Sequence, residues 1–146
     1  MAQEKTQNFE NHTRFMPLFH GFAFPILAIN LIWSLVDLRL GISAASLRSV
    51  FVAAALAALA LSSRLFAMTV QDRVIRMEMR MRLGQLLPAE LKPRIGEFTV
   101  GQLVALRFAG DDELPSLARQ VLDEKVSDRK TIKRRIKNWQ ADFLRA

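Results

Sequence analysis

The chain has no cysteine, which excludes disulfides, thiolate metal sites and cysteine nucleophiles. Histidine is nearly as scarce: His12 and His20 are the only two in 146 residues. With Ser62 and Ser63 they form no nucleophile–base–orienter set, so no enzyme activity is expected. A lone His20 facing a distant His12 does not make a haem or metal site, and no cofactor is expected. Charge is the third scarcity. Between residues 15 and 70 the charged groups are Asp37, Arg39, Arg48, Arg64 and, if ionised, His20. Also missing is a small-residue cleavage site behind the first apolar run. That run is too long for a signal-peptide core and reads as a retained span.

Apolar residues nevertheless make up 51% of the chain, while its formal charge is +7. The two properties are segregated. Residues 71–146 hold sixteen Lys/Arg against eleven Asp/Glu. An apolar half followed by a basic half describes a membrane anchor carrying a module that faces anionic lipid, nucleic acid or an acidic partner.

The first span is Pro17–Val36, whose length at helical rise is about 30 Å, the thickness of a bilayer core. Pro17 suits the first helical position. Pro25 frees the Gly21 carbonyl and predicts a kink. Trp33 falls near the far end, where an interfacial indole is favoured. The second span is Leu47–Val70. Arg48 and Arg64 enclose too short a stretch, roughly 22 Å, so the span extends through Val70 and leaves Arg64 roughly 9 Å inside the boundary.

Basic residues set the orientation. The connecting loop, with the residues flanking it, offers Arg39 and Arg48. The segment after the second span offers Arg73, Arg76, Arg80 and Arg82, and the N-terminus adds Lys5 and Arg14. Positive-inside counting puts both termini in the cytoplasm. An antiparallel hairpin in which position i faces about 85 − i sets His20 level with Arg64 or Leu65, and Asn30 level with Ala55. Ala53/Ala57 and Ala54/Ala58 are small-xxx-small pairs that admit close backbone approach, across which Asn30 can hydrogen-bond. Arg64 has two readings: snorkelling to headgroup phosphates, or a polar site with His20 or another membrane subunit.

Beyond the second span the helix continues over 71–87. Val70, Val74, Met77, Met81 and Gly84 share one face, expected to pack on the rest of the module, and Arg73, Arg76 and Arg80 share another. Asp72–Arg76 and Glu78–Arg82 are i,i+4 pairs. Pro88, Pro93 and Gly96 limit the next stretch to short turns around Leu91 and Ile95. Thr99 and Gln102 have capping-box spacing ahead of a compact helix ending at Gly110. Asp111, Asp112 and Glu113 are expected to cap a helix over 113–126, because three adjacent acids alone do not make a metal site. Ser127 is expected to cap a last helix over 128–138. Ile132, Ile136 and Trp139 mark its buried side, and Arg129, Lys130, Lys133, Arg134, Arg135 and Lys137 coat the remainder.

The fold expected is therefore all-α. It comprises a polar N-terminal segment 1–16, a two-helix transmembrane hairpin 17–70, an extended basic juxtamembrane helix 71–87 and a small cytoplasmic helical module 88–146. Short capped helices ending in a basic one also resemble a helix-turn-helix reader in outline. Lipid headgroups are the more usual contact for a basic helix beside a membrane.

Four phrases carry a resemblance: Asn11-His12-Thr13-Arg14-Phe15, Val70-Gln71-Asp72-Arg73-Val74-Ile75-Arg76, Gln102–Ala109 with Asp112-Glu113-Leu114-Pro115, and Ile132–Trp139. Through them the chain resembles a family of small bacterial two-span membrane proteins of unknown function. The resemblance implies the architecture above and a bacterial inner (cytoplasmic) membrane. It implies no activity and no catalytic residues. Three functions stay open: a non-enzymatic membrane protein whose basic module meets anionic lipid, a protein partner or a second copy; a membrane-tethered nucleic-acid binder; and an accessory subunit of a transporter or redox complex.

Overall fold

A computed structural model describes residues 7–11 and 15–142. The described chain is helical, without strands, and its residues fall into two compact units. One comprises residues 15–68; the other takes residues 7–11 and the chain from Thr69 onward. His12 and Arg14, like Lys5, lie outside the described residues.

In the first unit, a π-helix over Pro17–Ala23 leads into α1, Phe24–Leu40, and then α2, Ala44–Leu86, begins. The irregularity expected at Pro25 takes the form of this wide turn. The Phe24 N–H reaches back to the Phe19 carbonyl, which relieves the clash a proline ring makes with the turn before it. α1 continues past Asp37 and Arg39 to Leu40, leaving Gly41-Ile42-Ser43 as the connection. Ser43 opens α2: its Oγ accepts from the Ser46 N–H at 3.0 Å, and Ser46 Oγ accepts from the Ser43 N–H at 2.9 Å. The helices touch through small side chains, with Ala53 and Ser34 buried. Large apolar side chains face outward; Phe51 is 73% exposed and Phe66 71%. Both Pro17–Leu40 and Ala44–Leu86 are long and apolar enough to cross a membrane.

The second unit encloses a true core. Ile75, Met79, Leu83 and Leu87 recur every four residues along the end of α2 and are buried. They join a cluster that includes Leu91 and Phe98 from the segment around a 3₁₀ helix, Lys92–Glu97. The cluster thus crosses the boundary drawn at residue 88 from the sequence. Val70, Val74, Met77 and Met81, the face expected to pack here, are instead exposed. At 100° per residue the two stripes lie about 180° apart, so α2 is apolar on two opposite sides and the module uses one of them.

The middle of this unit is α3, Val100–Leu106, followed by α4, Leu114–Asp123, and α5, Arg129–Arg134. The capping box at Thr99 and Gln102 forms as expected. Residues 102–110 are buried without interruption. α4 ends with Lys125 at φ 52°, the left-handed position that closes a helix, and the Val126 N–H bonds back to the Val121 carbonyl at 3.1 Å.

Three local expectations change. Asp128, not Ser127, caps α5, because its carboxylate accepts from both the Thr131 N–H and hydroxyl at 2.7 Å. α5 stops at Arg134 rather than 138, because the next residues find other partners. The Glu113 carboxylate accepts from the Lys137 and Asn138 N–H groups at 3.1 and 3.0 Å. The Gly110 N–H bonds to the Asn138 carbonyl and the Gln140 N–H to the Phe108 carbonyl, forming an isolated bridge between Ala109 and Trp139. The acids 111–113 do not cap α4, which has no side-chain cap; they hold α2 and this final segment.

Candidate functional site

The sequence singles out two groups of residues: polar side chains in the apolar helices, and a basic surface beyond them. In the first group, Arg64 is half-buried and its Nη1 donates to the Met16 Sδ at 3.4 Å. His20 does not pair with it. The His20 Nδ1 accepts from the Met16 N–H at 3.1 Å, and its ring stacks on Phe15 at 5.1 Å. Met16 therefore contacts both residues. Asn30 is exposed and bonds within its own helix, with Oδ1 3.5 Å from the Ser34 Oγ. The polar link between α1 and α2 is Ser34 to Ser49, Oγ to Oγ at 3.0 Å. Sequence reasoning missed this pair. It places i opposite about 83 − i there, and the Met16–Arg64 contact gives about 80 − i. The assumed 85 − i sets Ser34 against Phe51. Of the alanine pairs, Ala53 is buried and Ala57 half-buried, whereas Ala54 and Ala58 face outward.

The basic residues divide by what surrounds them. Arg73 and Arg80 are exposed and Arg76 is half-buried. Arg73 and Arg76 line a shallow hollow with Asp72, Thr69 and Val100. Arg129, Lys130, Arg134 and Lys137 are exposed, while Lys133 is half-buried with its Nζ 5.0 Å from the Phe108 ring centre. Arg134 and Lys137 border a second hollow with Glu113 and Glu124. Arg135 is taken up by Glu124 at 2.7 Å. Positive charge on this unit is thus interleaved with carboxylates.

One arginine behaves unlike its neighbours. Arg82 was expected to pair with Glu78, yet it turns into the module. Its Nη2 donates to the Ala109 carbonyl and to Gln140 Oε1, both at 2.6 Å. Its Nε donates to Asp111 Oδ1 at 2.7 Å and its Nη1 to the Arg107 carbonyl at 3.2 Å. Beside it the buried Arg107 pairs with Asp142 at 2.9 Å. A Cβ on Gly110 would lie 2.6 Å from Asn138 Nδ2 and 2.8 Å from Asp112 Oδ1, so a side chain there would push apart the Asn138–Asp112 hydrogen bond. Arg82, Asp111, Asp112, Glu113 and residues 137–140 form one polar knot. It organises the fold and presents no reactive group.

A family model described as "Family of unknown function (DUF6526)" matches residues 1–146, the full chain. The chain belongs to DUF6526. No curated protein and no solved structure matches it. The match bears out the expectation of a family of unknown function, and DUF6526 membership brings no assigned activity.

Among the described residues of this DUF6526 chain, no three His, Asp or Glu side chains gather as a metal site. Three of its perturbed ionisations belong to surface ion pairs and a cap. The Arg119 guanidinium, with the residue's own backbone, holds the Glu90 carboxyl below its ordinary value. Asp123 and Glu97 raise Arg94 further above the usual guanidinium value. The Thr131 hydroxyl and N–H lower Asp128. None of these groups faces an enclosed cavity, so nothing in this set offers acid–base chemistry to a substrate.

Proposed function

We propose that this chain is a non-enzymatic integral protein of the bacterial inner membrane. Its two apolar helices cross the bilayer as an antiparallel hairpin, and its basic helical module stands in the cytoplasm to meet a protein partner or anionic headgroups. The carrying observation is uncovered apolar surface: in the most apolar eighteen-residue stretch of each helix, only 6% of residues are buried. The core helix of a water-soluble domain is mostly covered, and so long an apolar helix left bare in water is a strong drive to aggregate. A bilayer removes that cost. The orientation rests on Arg73, Arg76 and Arg80 following α2's apolar part, against Arg39 and Arg48 near the connection. Arg64 then snorkels toward the cytoplasmic face with its stem along the helix.

Cysteine labelling tests this directly, because the chain has no cysteine of its own. Ser43→Cys and Ser127→Cys are both at exposed positions. In intact cells a membrane-impermeant thiol reagent should reach the Ser43 site and not the Ser127 site. Labelling at Ser127 with protection at Ser43 would overturn the orientation.

A second membrane reading has one observation behind it. Asn30 is exposed on α1, and no hydrogen bond among the described residues engages its amide nitrogen. A polar group facing lipid is costly, so a larger membrane subunit covering Asn30 would make this an accessory subunit. The nucleic-acid reading loses ground with α5, whose six residues make under two turns from which to present side chains to base edges.

A further inference from the structure

The far side of α2 carries an unused pattern. Val70 is 59% exposed, Val74 47%, Met77 64% and Met81 62%. Their spacing of four, three and four, completed by Gly84, is a heptad repeat with Val74 and Met81 at a and Val70, Met77 and Gly84 at d. Ile75, Met79 and Leu83 fall at b, f and a following c, on the side already covered by the module. The repeat therefore points away from the chain's own core.

The flanks of this stripe are what identify its occupant. Position g holds Arg73 and Arg80, and position e holds Glu78 and Gln85; all four are exposed. Among the described residues no ion pair engages Arg73, Glu78 or Arg80. Glu78 is left to face outward because Arg82, its expected i,i+4 partner, is bound to Asp111. In a parallel two-stranded coiled coil, g of one helix meets e five residues on in the other. Arg73 then meets Glu78 of a second copy, and Arg80 meets Gln85, a neutral acceptor. An antiparallel pairing would set Arg73 and Arg80 against themselves, which like-charge repulsion disfavours. Lipid phosphates would not favour Glu78 on one edge of the stripe.

We infer that Val70–Gln85 is the dimerisation surface of this protein, pairing in parallel with the same stretch of a second copy through the Val70, Val74, Met77, Met81 and Gly84 stripe. The inference rests on the membrane reading, because a bilayer gives both copies the same orientation and so imposes parallel helices. It also supplies the affinity. About two heptads are too short to hold in water, but two anchored chains meet at high effective concentration.

The test uses full-length protein in native membranes, with single cysteines and mild oxidation. Val74→Cys and Met77→Cys should give a disulfide-linked homodimer. Arg76→Cys, about 120° from the centre of the stripe, should stay monomeric. Glu78→Arg removes two symmetry-related attractions and adds two repulsions, together about tenfold in association, and should lower Met77→Cys crosslinking accordingly. Arg73→Glu combined with Glu78→Arg should restore it. Alkaline carbonate washing separates the two levels of failure. Release of the protein by carbonate would overturn the membrane reading and the parallel geometry with it. Retention with a monomeric Met77→Cys, equal crosslinking at Arg76→Cys, or an adduct with a different protein would overturn the dimer and leave the membrane reading standing.

Discussion

Residues 15–68 and the unit from Thr69 onward are built from the same apolar side chains, used in opposite ways. In the first, Phe51 and Phe66 point outward and the helix contact is made by Ala53 and Ser34. In the second, Phe108, Leu103 and Ile132 are wholly enclosed. Charge is reversed too: the first unit has few ionisable groups, and the second ties Arg82, Arg94, Arg107, Arg119 and Arg135 to carboxylates. On the membrane reading proposed above, the difference is one of solvent. Against water, large apolar groups must be inside; against hydrocarbon, burial yields little, and small residues that let backbones approach become the contact.

The largest expected effect tests burial. Phe108→Ala should destabilise the module by about 3–5 kcal/mol, whereas Phe51→Ala should change stability by no more than about 0.5 kcal/mol. Denaturation followed by Trp139 fluorescence in a Trp33→Phe background reads the first, since the Phe108 and Trp139 rings lie 5.0 Å apart. Comparable losses at both sites would mean that residues 15–68 also form a water-excluding core. Next come two arginines on one helix. Arg82→Gln should cost about 2–3 kcal/mol, because the carbonyls of Arg107 and Ala109 lose a charged donor. Arg76→Gln, with no ion pair among the described residues, should leave the same melt within about 0.5 kcal/mol.

Smaller still is the contact inside the apolar unit. A double-mutant cycle on Ser34→Ala and Ser49→Ala should give a coupling near 0.6 kcal/mol, typical of hydrogen bonds between apolar helices. A coupling several times larger would show the pair to be shielded more deeply than two helices allow. The least effect concerns pH. Asp128 is held below its ordinary value, so its cap contributes above the unfolded aspartate pKa and is lost as pH falls through the folded one. Thermal melts across the acid range should show a slightly shallower fall for Asp128→Asn than for the unaltered chain.

Features decided by near neighbours were legible in the sequence. The Thr99–Gln102 capping box needs three residues, and the apolar helices need only length and composition. Features decided at a distance were not. α2 has two apolar stripes, and nothing local says that Ile75-Met79-Leu83 rather than Val70-Val74-Met77 meets the module. Arg82 shares type and surroundings with Arg80, but its place is set by Asp111, twenty-nine residues on. The early end of α5 depends on Glu113, and the Ser34–Ser49 contact depends on a register that composition leaves free by a few residues. Of the residues proposed as a site, His20 and Arg64 share Met16 as a neighbour, Asn30 stands apart, and of the basic set Arg73, Arg76, Arg134 and Lys137 line hollows that also hold acids.

The bridge between Ala109 and Trp139 bears on how the chain is made. Arg82 cannot complete its bonds until Gln140 has left the ribosome. At roughly 5–20 residues per second, the interval between translating Leu83 and Gln140 lasts about 3–11 s. Until then the cover over the Ile75-Met79-Leu83 stripe is incomplete, because Ile132 and Ile136 of the same cluster come late in the chain. On the membrane reading, the growing chain is tethered by its first part before its last part can close. Its partly covered stripe then spends those seconds near the bilayer, open to a chaperone or a neighbouring chain.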